Sequence, residues 1–344
     1  MKIVGIGDLF IPAAYIEKGF APMREKGHTL EVLDWPLKGF DELQNYNLLV
    51  ETLGCEALRP PECVFELCCD ADVIITQFCP VNHELVNACP NLKAIGVLRS
   101  GTENVCSEYA ASRGIAVLNV PGRNAEAVSD FAVGMMICEA RNIARGHRGI
   151  MRNQWIRDYS NSGNIPDLPG RTVGLIGCGA VGLKVARKLS GFDMRIIGYD
   201  PYANAEACRA AGVELVALEA LMTEADFVSL HARLTEQNRH LINAQMLALM
   251  KRTAYLINTS RAGLIDEAAL VDALKERRIA GAALDVYEHE PLQPDDPLLS
   301  LDNVTLTPHM AGGSNDAFYN TPALLCSRME VELSKKSRLE MSGH

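Results

Sequence analysis

The sequence predicts an α/β protein of two doubly wound domains, and three observations lead to this fold class. The chain has 344 residues, about twice the length of a typical domain. Hydrophobic residues make up 48% of it and charged residues 22%, as in ordinary globular proteins. Short apolar runs alternate with helical patterns almost from end to end. Continuous apolar strands between helices are typical of parallel sheets covered on both faces.

The first third of the chain reads as one α/β unit. Its apolar runs are KIVGIG, TLEVLDW, ADVIITQF, LKAIGVLR and IAVLNV, with helical segments such as 81–89 and 107–113 between them. The segment at about residues 36–60 is longer than a simple strand-to-helix connection. It is expected to form either a flap or a helix on the outside of the unit.

A long helical stretch, NAEAVSDFAVGMMICEARNIARGHRGI, carries the chain into a second unit, with Asn124 as its expected N-cap. After DLPGRTVGLIG the alternation repeats through RIIGYD, VELVAL, DFVSLH, AYLINTS, GAALDVY and VTLTPH, a complete doubly wound sheet. The tail is helical and too short to stand alone, so it is expected to pack on the first unit. We therefore place one domain at 1–119 and 311–344, and the other at 120–310.

Charge and composition exclude several kinds of partner. The formal net charge of −10 is dispersed without a basic tract, which argues against a nucleic-acid backbone. No apolar run has the 18 or so residues that a membrane span requires, so no membrane partner is expected. The start, MKIVGIGDLFIP, reads as a first strand and not as a signal peptide, which favours a cytoplasmic protein.

The cysteines and histidines show no metal-ligand spacing. The eleven cysteines contain no CxxC pair and read as free thiols in a reducing compartment. The eight histidines form neither an HExxH motif nor a Cys/His ligand pattern. The sequence therefore predicts no metal site.

A glycine-rich loop, VGLIGCGAVG at residues 173–182, lies between a predicted strand and a predicted helix. Gly177 allows a tight turn, Gly179 lets the backbone approach a pyrophosphate, and Gly182 lets the helix pack close to the strand. The helix N-terminus adds free N–H groups and a positive dipole. Asp200 closes the next strand 18 residues after Gly182, near the spacing of a ribose-binding acid. The cofactor contacts expected in the loop are Gly177, Gly179, Ala180, Val181 and Gly182.

Asp200 also indicates which dinucleotide binds. A carboxylate at this position accepts hydrogen bonds from the ribose hydroxyls and repels a 2′-phosphate, and Pro201 and Tyr202 provide no compensating cation. The loop lacks the GK[ST] ending of a phosphate-binding nucleotidase loop, since Leu183 follows Gly182. The sequence therefore predicts an NAD site, with NAD favoured over NADP.

Three later stretches, NTSRAGLIDE, DVYEHEP and TPHMAGG, each place an ionisable residue just after an apolar strand. Together with DLPGRTVGLIGCGAVG they resemble the signatures of the D-isomer-specific 2-hydroxyacid dehydrogenase family, whose members include phosphoglycerate dehydrogenase and hydroxypyruvate reductase. The resemblance extends from about Ala94 to Gly313. It implies a Rossmann NAD-binding domain inserted in a flavodoxin-like substrate domain, and a homodimer joined through the NAD-binding domains with the Asn124 helix in the contact.

The resemblance implies that Arg261, Glu290 and His309 act together in hydride transfer at C2 of a D-2-hydroxy acid or 2-oxo acid. Such a reaction needs one group that binds the carboxylate and polarises the carbonyl, and another that exchanges a proton with the oxygen. The planar, permanently charged fork of arginine suits the first task. Histidine suits the second, and a neighbouring glutamate favours its charged form.

Further positions are carried over from the same family. Asp285 matches the carboxylate that holds the nicotinamide carboxamide, and His231 matches a turn beside the cofactor. The family usually has proline where Arg233 stands here, and this arginine is expected to soften the preference against a 2′-phosphate. The cofactor contacts outside the glycine loop are Asp200, His231, Thr259, Asp285 and His309.

The substrate residues of the first domain depart from the family pattern. LRSGTENV resembles the loop that binds the substrate carboxylate through backbone N–H groups, at Ser100 and Gly101, but it is shorter than the usual RxGxGxDN form. Arg99, Asp8 and Gln77 also lie at the predicted carboxyl ends of strands, and Arg99 is expected to contact the substrate. These polar strand ends suggest a substrate with hydroxyls or a phosphate beyond its carboxylate, such as a sugar acid or a phosphoglycerate-like acid.

Two other functions are compatible with parts of this pattern. Formate dehydrogenase shares the fold, but it typically has glutamine where this chain has Glu290. The second alternative is an NAD-sensing interaction protein, because corepressors of the same family keep the catalytic residues yet act mainly as binding modules. An absence of turnover across a broad panel of acids, with NADH still bound, distinguishes the sensing protein from an enzyme.

Overall fold

The structure is a computed structural model that describes residues 1–342, with side chains described through residue 332. The chain divides into two compact units. Unit 1 comprises residues 1–123 and the segment that begins at Ser314, and unit 2 comprises Asn124–Gly313. The boundaries expected from the sequence lie at residues 119–120 and 310–311, and the last two residues of that expected domain lie outside the described part.

Unit 1 is built on a five-stranded parallel sheet with the order β2-β1-β3-β4-β5. Its strands are β1 (Lys2–Gly7), β2 (Thr29–Asp34), β3 (Val73–Thr76), β4 (Ala94–Val97) and β5 (Ala116–Asn119). Its first helices are α1 (Ala13–Gly19), α2 (Ala21–Glu25), α3 (Phe40–Leu53), α4 (Glu62–Cys68), α5 (His83–Ala88) and α6 (Ser107–Ser112). Strands β3 and β4 are buried along their whole length because helices cover both faces. The order is that of a flavodoxin-like sheet.

Unit 2 is built on a seven-stranded parallel sheet with the order β12-β11-β10-β9-β6-β7-β8. Its strands are β6 (Thr172–Ile176), β7 (Arg195–Tyr199), β8 (Val213–Leu215), β9 (Phe227–Leu230), β10 (Tyr255–Asn258), β11 (Gly281–Leu284) and β12 (Val304–Leu306). Its helices are α7 (Ala125–Ala140), α8 (Ile143–Met151), α9 (Ala180–Ser190), α10 (Ala205–Ala210), α11 (Leu218–Glu224), α12 (Ala244–Leu249) and α13 (Glu267–Lys275). The strand order reverses beside β6, as in a Rossmann sheet, so the predicted α/β class with two doubly wound sheets is confirmed.

The helical stretch after Asn124 consists of two helices rather than one. Helix α7 ends at Ala140 and α8 begins at Ile143, because Asn142 between them adopts a left-handed conformation with φ of 58°. The buried Asn142 side chain donates to Asn161 Oδ1 at 2.7 Å, which holds this break in place. Asn124 is the N-cap residue of α7, as the sequence predicts, although its side chain makes no capping hydrogen bond.

Unit 1 also contains the long connection after β2 and the C-terminal helix. Residues 40–53 form helix α3, with Leu43 and Val50 fully buried, so the helix and not the flap is the structure of the long connection. The C-terminal helix α14 (Asn315–Ser342) packs on α1, β4 and β5. None of the helices among residues 1–342 has the length and hydropathy that a bilayer crossing requires.

Candidate active site

The carboxyl ends of neighbouring strands in unit 2 carry the residues predicted for the cofactor and the chemistry. In sheet order these are Gly177 after β6, His231 after β9, Thr259 and Arg261 after β10, Asp285 after β11, and His309 after β12. Asp200 follows β7, on the other side of β6. Parallel strands end at the same edge of a sheet, about 4.8 Å from one neighbour to the next. The topology therefore brings these residues to one edge.

The glycine loop is tight at two positions and open at a third. Gly177 has φ of 96°, and a Cβ there would lie 2.6 Å from the Ala232 backbone nitrogen. A Cβ on Gly182 would lie 2.1 Å from the Gly177 carbonyl oxygen. At Gly179, directly before α9, a Cβ would meet no atom within 4 Å. The loop thus presents open space to the N-terminus of α9, where a pyrophosphate group fits.

Asp200 is held by the backbone on both sides of its carboxylate. Its Oδ2 accepts from the Cys178 N–H of the glycine loop at 2.9 Å, and its Oδ1 accepts from the Tyr202 N–H at 2.8 Å. The side chain is half-buried. Two fixed oxygens that still reach solvent suit a pair of ribose hydroxyls, which donate hydrogen bonds to a carboxylate.

Two buried polar atoms at the same edge have no partner in the described part of the chain. Thr259 Oγ1 and His231 Nδ1 make no hydrogen bond, whereas His231 Nε2 lies 3.0 Å from Ser229 Oγ. Removal from water lowers the pKa of His231 to about 4, so the ring is neutral near pH 7. Buried polar groups are normally satisfied, and these two therefore indicate room for a polar ligand. Together with the open Gly179, they fit a bound dinucleotide.

Arg261 follows β10 in a turn that a buried asparagine fixes. Asn258 Nδ2 donates to the Arg261 carbonyl at 3.0 Å, and Asn258 Oδ1 accepts from the Ser260 N–H at 3.0 Å. The Arg261 side chain is exposed, and its Nη1 donates to the Ser260 carbonyl at 2.7 Å. Within residues 1–332 no carboxylate pairs with this guanidinium, so its remaining donors are free to hold a carboxylate ligand.

His309 and Glu290 form the ion-pair geometry that the sequence predicts. His309 Nδ1 lies 2.7 Å from Glu290 Oε2, while Glu290 Oε1 accepts from the Tyr287 N–H at 3.0 Å. The His309 side chain is 50% exposed, and its backbone has φ of 50°. Because Nδ1 is engaged by the glutamate, Nε2 is the nitrogen that can exchange a proton with a ligand.

Asp285 is fully buried and organises the segment that carries His309. Its Oδ1 accepts from Thr307 Oγ1 at 2.6 Å and from the Met310 N–H at 3.0 Å, and its Oδ2 accepts from the Ala311 N–H at 2.8 Å. The chain's own donors thus occupy both carboxylate oxygens. A hydrogen bond from Asp285 to a nicotinamide carboxamide stays a prediction.

In unit 1, Arg99 is committed to bonds within the unit. Its Nη1 donates to Asn47 Oδ1 at 2.8 Å, and its Nη2 to Glu51 Oε1 at 2.5 Å and Glu103 Oε2 at 3.1 Å. A Cβ on Gly101 would lie 2.1 Å from Glu103 Oε2, so the glutamate covers this glycine. Of the three residues of unit 1 predicted to bind the substrate, Ser100 is exposed, Arg99 is held by these hydrogen bonds, and Gly101 lies beneath Glu103.

Other polar atoms at the strand ends of unit 1 are buried without partners in the described part. They are Asp8 Oδ2 after β1, both amide atoms of Gln77 after β3, and Arg123 Nη1 after β5. Burial raises the pKa of Asp8 to about 6, against two backbone hydrogen bonds and the Arg123 charge. Burial and the neighbouring Arg99 lower the pKa of Arg123 to about 10. This set, which we call the strand-end cluster, consists of Asp8, Gln77 and Arg123.

Comparison with known proteins decides the family. The model of the D-isomer specific 2-hydroxyacid dehydrogenase NAD binding domain matches residues 133–311. A glyoxylate reductase of Korarchaeum cryptofilum is 41% identical over 263 residues, which cover 76% of this chain and 79% of that protein.

The chain belongs to the D-isomer-specific 2-hydroxyacid dehydrogenase family.

Two further proteins are similar to this dehydrogenase. A D-3-phosphoglycerate dehydrogenase of Methanocaldococcus jannaschii is 41% identical over 250 residues, 72% of this chain but only 47% of that protein. The crystal structure of a D-lactate dehydrogenase from Treponema pallidum superposes with a TM-score of 0.74 at 25% identity and covers 97% of both chains. The protein is therefore an NAD-dependent oxidoreductase of the D-2-hydroxyacid class.

Two residues of interest were missed by the sequence reasoning, Tyr287 at the sheet edge of unit 2 and Arg123 in the strand-end cluster of unit 1. The Tyr287 hydroxyl donates to the Thr307 carbonyl at 2.8 Å and accepts from the Thr307 N–H at 3.0 Å, so it fixes the strand end before His309. Arg123 was also missed, because it follows its strand by several residues and belongs to no motif. The alternation of tyrosine and acids in DVYEHEP is the only signal for Tyr287 in the sequence.

Proposed function

We propose that this dehydrogenase interconverts a 2-oxo acid and the corresponding D-2-hydroxy acid at C2, with Arg261, Glu290 and His309 as its catalytic residues. The single observation that carries the proposal is the His309–Glu290 pair at 2.7 Å, two strands along the same sheet edge from Arg261, which has no carboxylate partner among residues 1–332. NAD supplies or accepts the hydride when bound.

The roles follow from the contacts. Arg261 binds the substrate carboxylate through two parallel N–H donors and polarises the C2 carbonyl. Protonated His309 gives the proton on Nε2 to the C2 oxygen as the hydride reaches C2, and takes a proton from that hydroxyl in the reverse direction. Glu290 keeps the imidazole oriented through Nδ1, and the Tyr287 N–H keeps Glu290 oriented.

The cofactor preference is proposed from Asp200. A fixed carboxylate opposite the ribose accepts its hydroxyls and repels a 2′-phosphate, so NAD is used in preference to NADP. The exposed Arg233 lies after β9 on the same edge and reduces this preference without reversing it, because a solvated arginine gives only a screened attraction.

For the substrate we propose a 2-oxo acid with hydroxyls beyond C2, of the sugar-acid type. The strand-end cluster offers two unpaired donor groups, Gln77 Nε2 and Arg123 Nη1, and two unpaired acceptors, Gln77 Oε1 and Asp8 Oδ2. A hydroxyl both donates and accepts, and a row of hydroxyls therefore satisfies such a mixed set. A phosphate group only accepts hydrogen bonds, and its negative charge would be repelled by the Asp8 carboxylate. A phosphorylated acid is thus the competing substrate in the test.

The experiment is a panel of 2-oxo acids assayed by the loss of NADH absorbance. We expect kcat/KM for 2-keto sugar acids to exceed kcat/KM for glyoxylate and pyruvate, with phosphohydroxypyruvate below the sugar acids. Gln77→Leu should lower the sugar-acid value by about tenfold, since one buried hydrogen-bonding group is worth on the order of 1.5 kcal/mol. Glyoxylate has no hydroxyls to lose and is the matched control substrate.

The possible outcomes separate the parts of the proposal. Turnover of glyoxylate or pyruvate without preference for hydroxylated acids would refute the substrate class but leave the reaction intact. If no acid of the panel were turned over while NADH still bound, the NAD-sensing interaction protein would be favoured. Turnover of formate alone would favour a formate dehydrogenase, against which Glu290 argues.

We also infer a homodimer joined through unit 2. Its support is the exposed apolar surface on α8 and the segment after it, where Trp155 is 84% exposed. Helix α7 is packed on α9 and β10–β12 within its own unit, so α8 is the better candidate for the contact. Sedimentation of Trp155→Glu should give a monomer where the unchanged chain gives a dimer. A dimer of that variant would move the contact elsewhere.

The compartment is proposed from the cysteines. All eleven are free, and eight are buried, as expected of thiols that a reducing environment maintains. This favours the cytoplasm. Fractionation of cells that produce the protein tests the proposal, and recovery outside the cytoplasm would contradict it.

A further inference from the structure

Two buried thiols of unit 1 meet a carboxylate at a place that the dehydrogenase chemistry does not use. Cys55 opens a short 3-10 turn after α3, and Cys106 directly precedes α6. The two Sγ atoms and a carboxylate oxygen of Glu56 all lie within 4.8 Å of one another. The Cys55 thiol is 3.7 Å from Glu56 Oε1, and both cysteines are free.

A histidine holds the carboxylate from the solvent side. Glu56 Oε1 accepts from the His83 backbone N–H at 2.9 Å and lies 2.6 Å from His83 Nδ1. Glu56 and His83 are exposed, whereas the two thiols are buried. The cluster therefore has a closed apolar side, with the sulfurs, and an open polar side through which a small ion can enter.

We propose that Cys55, Cys106 and Glu56 form a binding site for a single zinc ion, with His83 as the outer partner of the carboxylate. Two thiolates with one carboxylate are a donor set that selects Zn²⁺ among the common divalent ions, because soft sulfur ligands disfavour Mg²⁺ and Ca²⁺. The fourth position is open to water, as in zinc sites with three protein ligands.

The spacing of the ligands is compatible with this ion. Zn–S bonds of about 2.3 Å and Zn–O bonds of about 2.1 Å in a tetrahedron separate the ligand atoms by roughly 3.5–3.8 Å. The three atoms already lie within 4.8 Å, so side-chain rotation suffices to close the site. Binding releases the two thiol protons, and the site leaves one net negative charge that His83 balances when it is protonated.

The ion would fasten the substrate loop of unit 1. Cys55 follows α3, whose Asn47 and Glu51 hold Arg99, and Cys106 ends the loop that carries Ser100 and Gly101. Zinc at this place joins the two segments that Arg99 already links. The consequence is a metal-dependent increase in the stability of unit 1, and neither this nor the site depends on the identity of the substrate.

The experiment uses the full chain, reduced and freed of metal with a chelator. Cobalt(II) serves as the probe because thiolate coordination gives a charge-transfer band in the near ultraviolet, and a tetrahedral site gives intense visible bands. We expect one cobalt per chain, displacement of the bands by zinc, and a higher midpoint of thermal unfolding with zinc than without it.

Variants assign the ligands. Cys55→Ser and Cys106→Ser should each remove about half of the charge-transfer band, since one of the two thiolates is lost. Glu56→Gln changes an exposed side chain and keeps both thiolates, so the charge-transfer band should remain while the affinity for zinc falls about 10–100-fold. Cys208→Ser is the matched control, because Cys208 neighbours Cys178 as a second buried thiol pair, in unit 2.

Three results would overturn the proposal. The first is the absence of a charge-transfer band in the unchanged chain. The second is a band that keeps its full intensity in both Cys55→Ser and Cys106→Ser, or that disappears in Cys208→Ser. The third is a mass spectrum of the freshly isolated chain that shows Cys55 and Cys106 joined as a disulfide, because a disulfide leaves no thiolate for the metal.

Discussion

The two units of this dehydrogenase differ in whether the polar side chains at their sheet edges have hydrogen-bond partners. In unit 2 the groups proposed for the reaction already have hydrogen-bond partners, since Glu290 holds His309 and three donors hold Asp285. In unit 1 the strand-end cluster has four buried atoms without partners in the described part. Groups held in advance lose little to reorganisation during a reaction, whereas unpaired groups discriminate between ligands. The difference suggests that unit 2 performs chemistry common to the family and that unit 1 selects the substrate.

The largest effect is expected when His309, the proposed proton donor of unit 2, is replaced. His309→Asn should reduce kcat by about 10²–10⁴-fold, because positioned acid–base catalysis is worth that much. NADH binding, measured by fluorescence titration, should stay nearly unchanged. Asparagine tolerates the left-handed backbone at this position, so the substitution adds little strain.

His240→Asn is the matched control for that experiment. His240 also has a positive φ, of 52°, and lies 3.5 Å from Glu288, so it is a second His–Glu pair in the same unit. Its replacement should leave kcat near that of the unchanged enzyme. If His309→Asn kept the full rate with the best substrate of the panel, another group would have to be the proton donor.

The next effect separates binding from folding within the glycine loop. Gly182→Ala places a Cβ 2.1 Å from a backbone oxygen, so it should lower the affinity for NADH at least tenfold and also lower the stability of unit 2 by about 1–3 kcal/mol. Gly179→Ala places its Cβ in open space, so it should lower the affinity for NADH without loss of stability. NADH titration and thermal unfolding of both variants test this. Unchanged NADH affinity of Gly179→Ala would show that the open space is not the cofactor's.

The sequence predicts the fold and the chemical groups of unit 2 because both depend on local patterns. Apolar runs bounded by helices identify the strands, and motifs at strand ends identify Gly177, Arg261 and His309. The break at Asn142 could not be predicted in this way, because it depends on a hydrogen bond to a distant asparagine.

Unit 1 was harder to predict because its polar groups meet across long stretches of chain. Arg99 ends a strand in the expected place, yet Asn47 and Glu51 of α3 occupy its guanidinium. Arg123 affects the Asp8 carboxylate from another strand end, and no spacing in the sequence indicates it. The periodicity of apolar residues does not predict contacts between side chains that are far apart in sequence.

The third prediction tests the cost of the strand-end cluster in unit 1. Burial raises the pKa of Asp8 from about 3.8 to about 6, so the ionised carboxylate destabilises the folded state above pH 6. This cost in free energy of unfolding decreases as the pH falls from about 6 to about 3.8, and it is absent below the pKa that Asp8 has in the unfolded chain. Asp8→Asn should therefore stabilise unit 1 at pH 8 by on the order of 1–3 kcal/mol, and by almost nothing near pH 4.

The chain provides a reporter for this measurement. Trp35 is buried in unit 1 and stacks on Tyr46, whereas the other tryptophan, Trp155, is exposed in unit 2. Urea unfolding followed by Trp35 fluorescence in a Trp155→Phe background reports on unit 1. Asparagine keeps the Oδ1 that accepts from the Phe10 and Ile11 N–H groups. A gain that does not depend on pH would show that the pKa of Asp8 is the same in the folded and the unfolded protein.

The smallest expected effect concerns the cofactor selectivity of unit 2. Asp200→Asn removes one charge but keeps Oδ1 as an acceptor from the Tyr202 N–H. The ratio of kcat/KM for NADH to that for NADPH should fall about tenfold, since a half-buried carboxylate opposes a 2′-phosphate by on the order of 1 kcal/mol. Added salt should reduce the ratio in the unchanged enzyme and have less effect in the variant.

Two controls make this last comparison specific. Asp193→Asn makes the same change at an exposed aspartate before β7, and it should leave the ratio unchanged. Arg233→Ala should raise the ratio slightly, because a cation near the adenosine favours the 2′-phosphate. If Asp200→Asn left the ratio as it was while Arg233→Ala changed it severalfold, the arginine and not the carboxylate would set the preference. Cofactor choice in unit 2 would then depend on an exposed side chain rather than on a group fixed in advance, and the contrast with unit 1 would hold for catalysis alone.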